Sequence, residues 1–423
     1  MRLLYLCLGY CLVPIAFFRE IWRAFRKPDD RSGLLTRLGY GEHLVPGAIW
    51  VHAVSVGEVQ AAGALLRRLV ADYPQHRLLL TTSTATGRRQ AVNQHGRLAE
   101  IRYLPYDLPR CVNRFLDRVE PSIGIILETE LWPTLYQACE RRGVPLLVAS
   151  ARLSERSVRR YGRFKGFVAS VVGAANVSIA AQTSEDAARF QLLGAAADRT
   201  SVCGNIKYDQ TAPPAALRSK DERREMLGRS RPVWVAGSTH EGEESAVLDA
   251  HRRLRETHHT ALLVLAPRHP QRFEAVAQLL EREGWSFQRW SAGERVPAGA
   301  AVLLLDTLGE LVGYYAAATV AFVGGSLVPI GGHNLLEPFL VGCPALTGPS
   351  TGNDKSTAQL LTAAGAVSVV KDAESLSKAV VGLWADPMAA QASVAAGARV
   401  LAANCGAVDR VCHTLRSLIS RSV

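Results

Sequence analysis

The sequence lacks the spaced cysteine and histidine motifs that build disulfide frameworks or zinc sites. Its eight cysteines are scattered, and no two form a Cys-x-x-Cys pair. The eleven histidines contain no His-Glu-x-x-His arrangement, and no convincing Asp-x-Asp pair follows an apolar run. These absences argue against a disulfide-rich secreted domain and predict no metal site. We expect a reducing compartment, with the thiols buried and inert.

The chain also lacks a recognisable nucleic-acid module and basic motifs interleaved with aromatics. Its 423 residues are 48% hydrophobic and 21% charged, which indicates a globular protein long enough for two or three domains. The net charge of +11 favours a polyanionic partner, namely nucleic acid, an anionic membrane or a phosphorylated substrate. Without a nucleic-acid module, we expect the membrane or the phosphorylated substrate.

The N-terminal segment is an apolar run followed by a basic collar. Residues 3–18 carry no charge, and as a helix they would reach about 24 Å, against roughly 30 Å of bilayer hydrocarbon. The collar contains Arg19, Trp22, Arg23, Arg26 and Lys27. We predict a membrane anchor over 1–27, spanning or half-inserted, with the bulk of the chain on the cytoplasmic side.

Two alternatives to that anchor remain open. A cleaved signal peptide would need a small-residue cleavage site, and the sequence around Phe18 and Arg19 offers none. A monotopic helix, bent at Pro14, would instead lie in the membrane interface.

Past residue 45, apolar runs alternate with amphipathic stretches, the order expected of a parallel doubly wound sheet. In the first half we predict strands at 48–54, 77–82, 123–127, 145–149 and 177–180. The pattern restarts near residue 230, with strands predicted at 232–236, 261–266, 301–305, 320–323 and 344–346. The sequence thus predicts Rossmann-like domains at 28–210 and 231–423, a linker at 211–230, and a ligand cleft between the domains.

Glu58 opens the helix after the first predicted strand, beside His52 and Ser55. In such folds ligands bind at the carboxyl ends of the strands. The Glu58 carboxylate is therefore placed either to accept a proton from a substrate hydroxyl or to interact with the helix dipole.

Glu128 and Glu130 end the strand at 123–127, next to Trp132. Because a buried unpaired carboxylate is costly, we expect a functional role for this pair. Lys207 lies near the junction of the two halves, either to neutralise a leaving phosphate or as an ordinary linker lysine.

In the second half, a glycine-rich stretch at 324–326 leads into another at 331–338. Glycines between a strand and a helix let backbone amides approach a phosphate, and Glu337 is then placed to bind ribose hydroxyls. Arg268 follows another strand and either grips a phosphate through its guanidinium or lies in an ordinary surface turn.

A basic run with roughly helical spacing follows the fourth predicted strand. It is suited either to the phosphates of a lipid headgroup or to solvent. We assign Arg152 and Arg156 to acceptor binding. The run comprises Arg152, Arg156, Arg159, Arg160, Arg163 and Lys165.

Seven short segments of the chain, taken in order, form a family pattern. In the first half they are Ser-Val-Gly-Glu (55–58), Leu-Pro-Tyr-Asp (104–107), Glu-Thr-Glu-Leu-Trp-Pro (128–133) and Ala-Arg-Leu-Ser (151–154). In the second half they are Ser-Thr-His-Glu-Gly-Glu (238–243), Pro-Arg-His-Pro (267–270) and Gly-Gly-His-Asn-Leu-Leu-Glu-Pro (331–338). The ordered set closely resembles the 3-deoxy-D-manno-octulosonic acid (Kdo) transferases of lipopolysaccharide assembly.

The resemblance implies an α/β GT-B fold and an inverting transfer of Kdo from CMP-Kdo to a lipid A precursor, lipid IVA, without metal or other cofactor. It implies that Glu58 is the general base and that Glu128 and Lys207 stabilise the transition state. The implied CMP-binding residues are Pro267, Arg268, Leu308, Gly309, Glu310, Asn334, Leu335, Leu336 and Glu337.

The resemblance also implies work on the cytoplasmic face of an inner membrane, with an anionic membrane surface as partner. Ser150 departs from it, because some relatives have Asn there, and we expect only local acceptor contacts to change. A GT-B enzyme using a UDP-sugar is the alternative within enzymes. Motif spacing does not encode the number of Kdo residues transferred or the oligomeric state.

Overall fold

The computed structural model describes residues 1–26, 33–293 and 295–419, and the chain divides into two compact units. Unit 1 comprises Met1–Gln210 and Asn404–Val423, and unit 2 comprises Thr211–Ala403. Each unit contains one parallel seven-stranded sheet with helices, so the predicted α/β fold of two Rossmann-like parts is confirmed.

Unit 1 is built from seven strands, the first eight α-helices of the chain and the last one, which is described below. The strands are β1 (Ala48–His52), β2 (Leu78–Thr82), β3 (Glu100–Tyr103), β4 (Pro121–Leu127), β5 (Leu146–Ala151), β6 (Val177–Ala181) and β7 (Thr200–Val202). The helices are α1 (Arg2–Arg26), α2 (Val56–Asp72), α3 (Ala85–His95), α4 (Pro109–Val119), α5 (Pro133–Arg141), α6 (Glu155–Gly162), α7 (Lys165–Val172) and α8 (Ser184–Leu192). The sheet order is β3-β2-β1-β4-β5-β6-β7.

Unit 2 repeats this plan. The strands are β8 (Val233–Thr239), β9 (Leu262–Pro267), β10 (Phe287–Arg289), β11 (Val302–Leu304), β12 (Val320–Val323), β13 (Ala345–Thr347) and β14 (Val367–Val369). The helices are α9 (Pro214–Arg218), α10 (Lys220–Leu227), α11 (Glu243–Arg255), α12 (Phe273–Arg282), α13 (Leu311–Ala317), α14 (Leu336–Leu340), α15 (Lys355–Ala363), α16 (Ala373–Ala385) and α17 (Pro387–Asn404). The sheet order is β10-β11-β9-β8-β12-β13-β14.

The central strands of both sheets are buried on both faces, which explains their near-continuous apolar sequences. In unit 1 the connections run one way from β1 through β2 to β3, and the other way from β4 onward. In unit 2 the same reversal falls between β8 and β12. Loops at such a reversal diverge and leave a crevice at the carboxyl ends of the two strands.

All ten predicted strands are present, with ends shifted by a few residues. The structure adds four that the pattern did not indicate, namely β3, β7, β10 and β14, and these are the edge strands of the two sheets. Edge strands are short and partly exposed, so they lack the apolar run that marks a central strand.

Both boundaries of the predicted linker and C-terminal domain differ from the structure. Residues 211–230 form α9 and α10 within unit 2, where Leu227 is buried in the core. The last helix, α18 (Ala407–Ile419), belongs to unit 1 because Leu415 packs in its core and Asp209 accepts hydrogen bonds from the first turn of the helix. The periodicity of apolar residues predicts where a helix forms, but it does not indicate which of the two units the helix packs against.

Helix α1 continues through the predicted basic collar to Arg26, whereas Lys27 lies outside the described residues. Among the described residues, α1 is long and apolar enough over Arg2–Trp22 to cross a membrane. Two of its thiols, Cys7 and Cys11, are exposed, as is Cys405. The expectation of uniformly buried cysteines is therefore wrong at these three positions.

Candidate active site

The reversal point of unit 1 brings together the carboxylates that the sequence singled out. Ser55 caps α2 by accepting the Glu58 amide at 3.4 Å. The Glu58 carboxylate in turn accepts hydrogen bonds of 2.8 Å from the Val54 amide and the Ser55 hydroxyl. This reciprocal capping fixes the carboxyl group at the end of β1.

Burial raises the pKa of the Glu58 carboxyl, and the neighbouring charge of Glu128 raises it further. The Val54 and Ser55 hydrogen bonds and the Lys207 charge oppose that rise. Glu58 therefore has both a capping function and the raised basicity expected of a carboxylate that accepts protons.

Glu128 follows β4 in a left-handed backbone conformation, with a φ of 57°. This conformation is uncommon for a residue other than glycine, and such strain concentrates at functional sites. The Glu128 Oε1 atom lies 2.9 Å from the Lys207 Nζ atom, and both side chains are partly exposed. Lys207 is thus paired with the Glu128 carboxylate in unit 1 and is not a solvated linker lysine.

Glu130 is a third carboxylate of this group, and the family resemblance implied no catalytic role for it. Burial raises its pKa to about 7, and the charges of Glu58 and Glu128 add to the effect. His52, by contrast, is a core residue. Burial lowers its pKa to about 3, and its Nδ1 atom lies 3.0 Å from the Thr81 carbonyl oxygen.

Glu130→Gln is expected to stabilise the protein at alkaline pH. A carboxyl whose pKa rises from 4.5 to about 7 on folding stabilises the folded state below pH 4.5, and this contribution is lost as pH rises through 7. The neutral amide avoids that loss, which we put at about 1–2 kcal/mol after solvent screening. Thermal unfolding should show a higher Tm for Glu130→Gln at pH 8 and little gain at pH 4. The exposed control Glu222→Gln should show neither effect.

Ser150 lies in β5, fully buried, with a φ of 53°. Its hydroxyl accepts hydrogen bonds from the Gln182 side chain at 3.3 Å and from the Ile206 amide at 3.4 Å. Ile206 precedes Lys207, so this departure from the family pattern lies beside the Lys207 turn and not only at acceptor contacts. Asparagine tolerates the left-handed region well, which makes it a compatible alternative.

Ser150→Asn is expected to keep the fold and activity, whereas Ser150→Val should lower the free energy of unfolding by about 1–3 kcal/mol. A β-branched residue strains at positive φ, and valine leaves the Ile206 amide without its acceptor. Ser178 is buried in the neighbouring strand and is not among the positive-φ residues. Chemical denaturation should therefore show a much smaller loss for Ser178→Val, and equal losses for the two valine variants would contradict the strain argument.

In unit 2, Arg268 follows β9 and lies near enough to Glu337 of α14 for the two charges to interact, and both side chains are partly buried. Burial lowers the pKa of the Arg268 guanidinium, and the nearby Glu337 charge opposes this. Asn334 donates to the Glu337 Oε1 atom at 3.2 Å and accepts from the Leu336 amide at 3.1 Å. The structure thus brings together residues from two of the three predicted CMP-binding segments.

The third segment, Leu308–Glu310, follows β11, the neighbour of β9. Leu308 is exposed and Gly309 has a φ of 89°, a conformation suited to glycine. Glu310 forms an ion pair with Arg223 of α10. That partner lies in the stretch predicted as a linker, so this ion pair does not follow from the sequence pattern.

The first glycine-rich loop is held together by Glu243, a fully buried carboxylate at the start of α11. Its two oxygens accept four backbone N–H groups, at 2.6–2.9 Å. The donors are His240, Gly325, Ser326 and Leu327. Two of these amides, those of Gly325 and Ser326, belong to the stretch that we expected to approach a phosphate. Because Glu243 occupies them, that expectation is wrong for Gly325 and Ser326.

Two histidines connect the same loops. The Nε2 atoms of His240 and His333 lie 2.7 Å apart, and their rings stack with centroids 5.0 Å apart. Burial lowers the pKa of His333 to about 3, aided by the charge of Arg268. Both histidines belong to segments of the family pattern, but no role was predicted for either of them.

The predicted acceptor residues, Arg152 and Arg156, both lie in unit 1. Arg152 follows β5, and its carbonyl accepts a hydrogen bond from Thr129, which joins it to the Glu128 loop. Arg156 is exposed on α6. The helical spacing predicted for the basic run is interrupted, because the run divides between α6 and α7 with a break at Arg163 and Phe164. A search of the described residues finds no group of three or more His, Cys, Asp or Glu side chains arranged to hold a metal ion.

Several solved structures share this fold. The UDP-GlcNAc 2-epimerase of Neisseria meningitidis, bound to UDP-GlcNAc, aligns over 88% of this chain and all of its own, with a TM-score of 0.57 and 13% identity. A glycosyltransferase of Rickettsia africae aligns over 90% of this chain and 99% of its own, with a TM-score of 0.56 and 11% identity. These likenesses show the fold alone, which is the two-unit α/β GT-B class.

Sequence comparison identifies the family. A family model described as 3-deoxy-D-manno-octulosonic-acid transferase (kdotransferase) matches residues 30–210. The 3-deoxy-D-manno-octulosonic acid transferase of Haemophilus influenzae is 39% identical over 402 residues, 94% of each chain. That of Bordetella pertussis is 39% identical over 413 residues, 93% of this chain and 94% of its own. The chain belongs to the Kdo transferase family and is a glycosyltransferase.

Proposed function

We propose that the protein transfers Kdo from CMP-Kdo to a phosphorylated lipid A precursor, lipid IVA, in lipopolysaccharide biosynthesis. The observation that supports this most directly is the grouping of Glu58 with the Glu128–Lys207 ion pair at the strand ends of unit 1. One carboxylate there is raised in basicity, and one fixed cation lies beside it. That combination suits removal of a proton from a hydroxyl and stabilisation of developing negative charge.

In the proposed reaction, an acceptor hydroxyl oxygen attacks the anomeric carbon of Kdo. The bond between that carbon and the CMP phosphate oxygen breaks, and the Glu58 carboxylate takes the hydroxyl proton. Attack opposite the leaving group inverts the anomeric configuration. Lys207, positioned by Glu128, stabilises the charge that develops in the transition state.

We assign CMP to unit 2. Arg268 offers a partly buried guanidinium to the phosphate, and Glu337, held by Asn334, is an acceptor for ribose hydroxyls. Pro267, Leu308, Gly309, Glu310, Leu335 and Leu336 complete the proposed nucleotide contacts. Because Arg268 and Lys207 supply fixed positive charge, we propose that no metal is required. Full activity after exhaustive chelation is the expected result, and loss restored by one divalent cation would contradict it.

The acceptor carries phosphates and lies in a membrane, which fits the exposed arginines of α6 and the apolar α1. We assign Arg152 and Arg156 to the acceptor phosphates, and place the protein at the cytoplasmic face of the inner membrane. Kdo transfer to a polar headgroup at that surface requires no translocation of the sugar nucleotide.

The donor assignment is tested in a transfer assay with CMP-Kdo and lipid IVA. We expect CMP to inhibit competitively with CMP-Kdo, and UDP at the same concentration to have little effect. Stronger inhibition by UDP would favour the alternative, a GT-B enzyme that uses a UDP-sugar.

A further inference from the structure

We propose that α1 does not cross the bilayer but lies in the plane of one leaflet, docked along the surface of unit 1. This rests on the proposed membrane association and specifies its geometry. The observation behind it is that both ends of α1 contact unit 1. Residues 5 and 20 are 15 positions apart, about 22 Å along the helix axis.

Near the start of the helix, the Tyr5 hydroxyl donates to the Asp107 Oδ2 atom at 2.8 Å. The Tyr5 ring also contacts Phe167 of α7, with centroids 5.9 Å apart. Asp107 accepts two further hydrogen bonds, from the amides of Thr134 and Leu135 at the start of α5. The N-terminal end of α1 is thereby connected to the segment that follows the Glu128 loop.

Near the other end, Glu20 lies 3.2 Å from the Arg37 guanidinium and accepts a hydrogen bond of 3.1 Å from the Tyr106 hydroxyl. Phe17 packs edge-on against the Tyr106 ring, with centroids 6.3 Å apart. On unit 1 the two contact regions meet at the adjacent residues Tyr106 and Asp107, so α1 lies across this segment. A helix that entered the bilayer along its normal would contact the protein at one end only.

The side chains of α1 divide into two stripes. One stripe is partly buried against unit 1 and recurs every three or four residues, at Tyr5, Leu6, Gly9, Val13, Ala16, Phe17, Glu20 and Ile21. The opposite stripe has the same period and consists of large apolar side chains, each more than half exposed, at Leu4, Leu8, Leu12, Ile15, Phe18, Trp22 and Phe25. The stripe toward unit 1 contains the Tyr5 hydroxyl, the Glu20 carboxylate and the small residues Gly9 and Ala16, whereas the exposed stripe consists of large apolar side chains that an acyl boundary can cover.

The surface beside the N-terminal end of α1 is basic. Arg159, Arg160, Arg163 and Lys165 are exposed on or between α6 and α7, and Lys165 is two positions from Phe167, the residue that Tyr5 contacts. If α1 spanned the bilayer, its docked neighbour α7 would be drawn into hydrocarbon with these charges, which is strongly unfavourable. If α1 lies in the interface, the same charges meet anionic headgroups.

The partner of the exposed apolar stripe is therefore one leaflet of an anionic phospholipid membrane. The seven exposed side chains enter the acyl boundary, and the basic residues of α6 and α7 contact phosphates. In this arrangement the Glu58 group of unit 1 works on headgroups in the leaflet to which α1 is bound.

Spin-label depth measurements on the full chain test this geometry. The exposed thiols Cys7, Cys11 and Cys405 are replaced by serine, and single labels are placed at residues 4, 8, 12 and 15, and at 6, 13 and 16. The protein is bound to vesicles of phosphatidylethanolamine and phosphatidylglycerol. We expect the first set to report one shallow, nearly constant depth with high oxygen access, and the second set to be shielded from oxygen and from aqueous nickel reagent.

A depth that rises steadily from each end to the bilayer centre, on every face of the helix, would show a spanning helix and overturn the proposal. Protein that does not bind the vesicles would instead overturn the membrane association on which it rests. Kdo transfer to an acceptor dispersed in detergent does not depend on how α1 meets a bilayer. An assay of that transfer therefore tests the proposed chemistry separately.

The docking itself is tested with Tyr5→Phe, which removes only the hydroxyl that donates to Asp107. We expect a label at residue 6 to become more mobile in this variant. Tyr10→Phe removes a hydroxyl from a half-exposed residue and is the matched control, with no change expected. An equal response in both variants, or none in Tyr5→Phe, would contradict docking through Tyr5.

Discussion

Glu58→Gln is expected to lower kcat for Kdo transfer by about 10²–10⁴-fold, because the amide cannot take the acceptor proton. The amide keeps one oxygen acceptor for the Val54 amide or the Ser55 hydroxyl, so the capping of α2 is largely preserved. We therefore expect a thermal unfolding midpoint close to that of the unmodified protein. The measurement is an initial-rate assay at saturating donor and acceptor, together with a Tm.

Glu185→Gln is the matched control for this variant. Glu185 also lies in the first turn of a helix with a threonine cap, and it is exposed on α8. Like Glu58, it is an acidic residue in the first turn of a helix and interacts with the helix dipole, but it lies outside the carboxylate group. If both variants lost the same activity, the effect would come from helix capping and not from proton transfer.

The pH dependence follows from the direction of the Glu58 pKa. A base must be deprotonated to act, and burial raises the pKa of this carboxyl above its ordinary value of 4.5. We expect kcat/KM to fall as pH drops through that raised pKa, in a range where an ordinary glutamate is still ionised. In Glu58→Gln the residual rate should lose this acidic limb. If the acidic limb persists unchanged in Glu58→Gln, the limb reports the titration of another group, such as Glu130.

Lys207→Met is expected to lower kcat by about 10²–10³-fold, since it removes the cation that lies 2.9 Å from Glu128. It should also move the acidic limb to higher pH, because the Lys207 charge opposes the rise of the Glu58 pKa. Lys207→Arg retains the charge and should recover part of the rate. The readout is the pH profile of kcat for the three proteins.

Lys378→Met is the control for the loss of a paired lysine. Lys378 contacts Glu374 at 2.6 Å on an exposed face of α16, where an ion pair contributes little. We expect neither the rate nor the pH profile to change in this variant. A Lys207→Met protein with normal kcat and only a raised KM would contradict transition-state stabilisation, because it would indicate uniform binding.

Much of the fold followed from the sequence because the central strands are buried on both faces. Val320–Val323 illustrates this, since its apolar run coincides with the strand. The edge strand Glu100–Tyr103 carries Glu100 and Arg102 and has no such run. Its position depends on pairing with β2, which periodicity does not encode.

The site was predicted in part for a similar reason. Glu58 and Glu128 follow strands, and strand ends can be read from the sequence. The ion-pair partner of Lys207 could not be predicted from the sequence, because Lys207 and Glu128 are 79 positions apart. Neither could the Glu243 carboxylate be assigned to the glycine-rich loop, since the pattern of glycines is the same whether their amides bind a phosphate or a side chain.

The most direct test of Kdo transfer is mass spectrometry of lipid IVA after incubation with the purified full chain and CMP-Kdo. We predict that the lipid gains one or more Kdo units and that CMP is released in equal number. The Glu58→Gln protein should give unmodified lipid in the same time. Unmodified lipid with the unaltered protein, under conditions where it binds CMP and is folded, would contradict the proposed function.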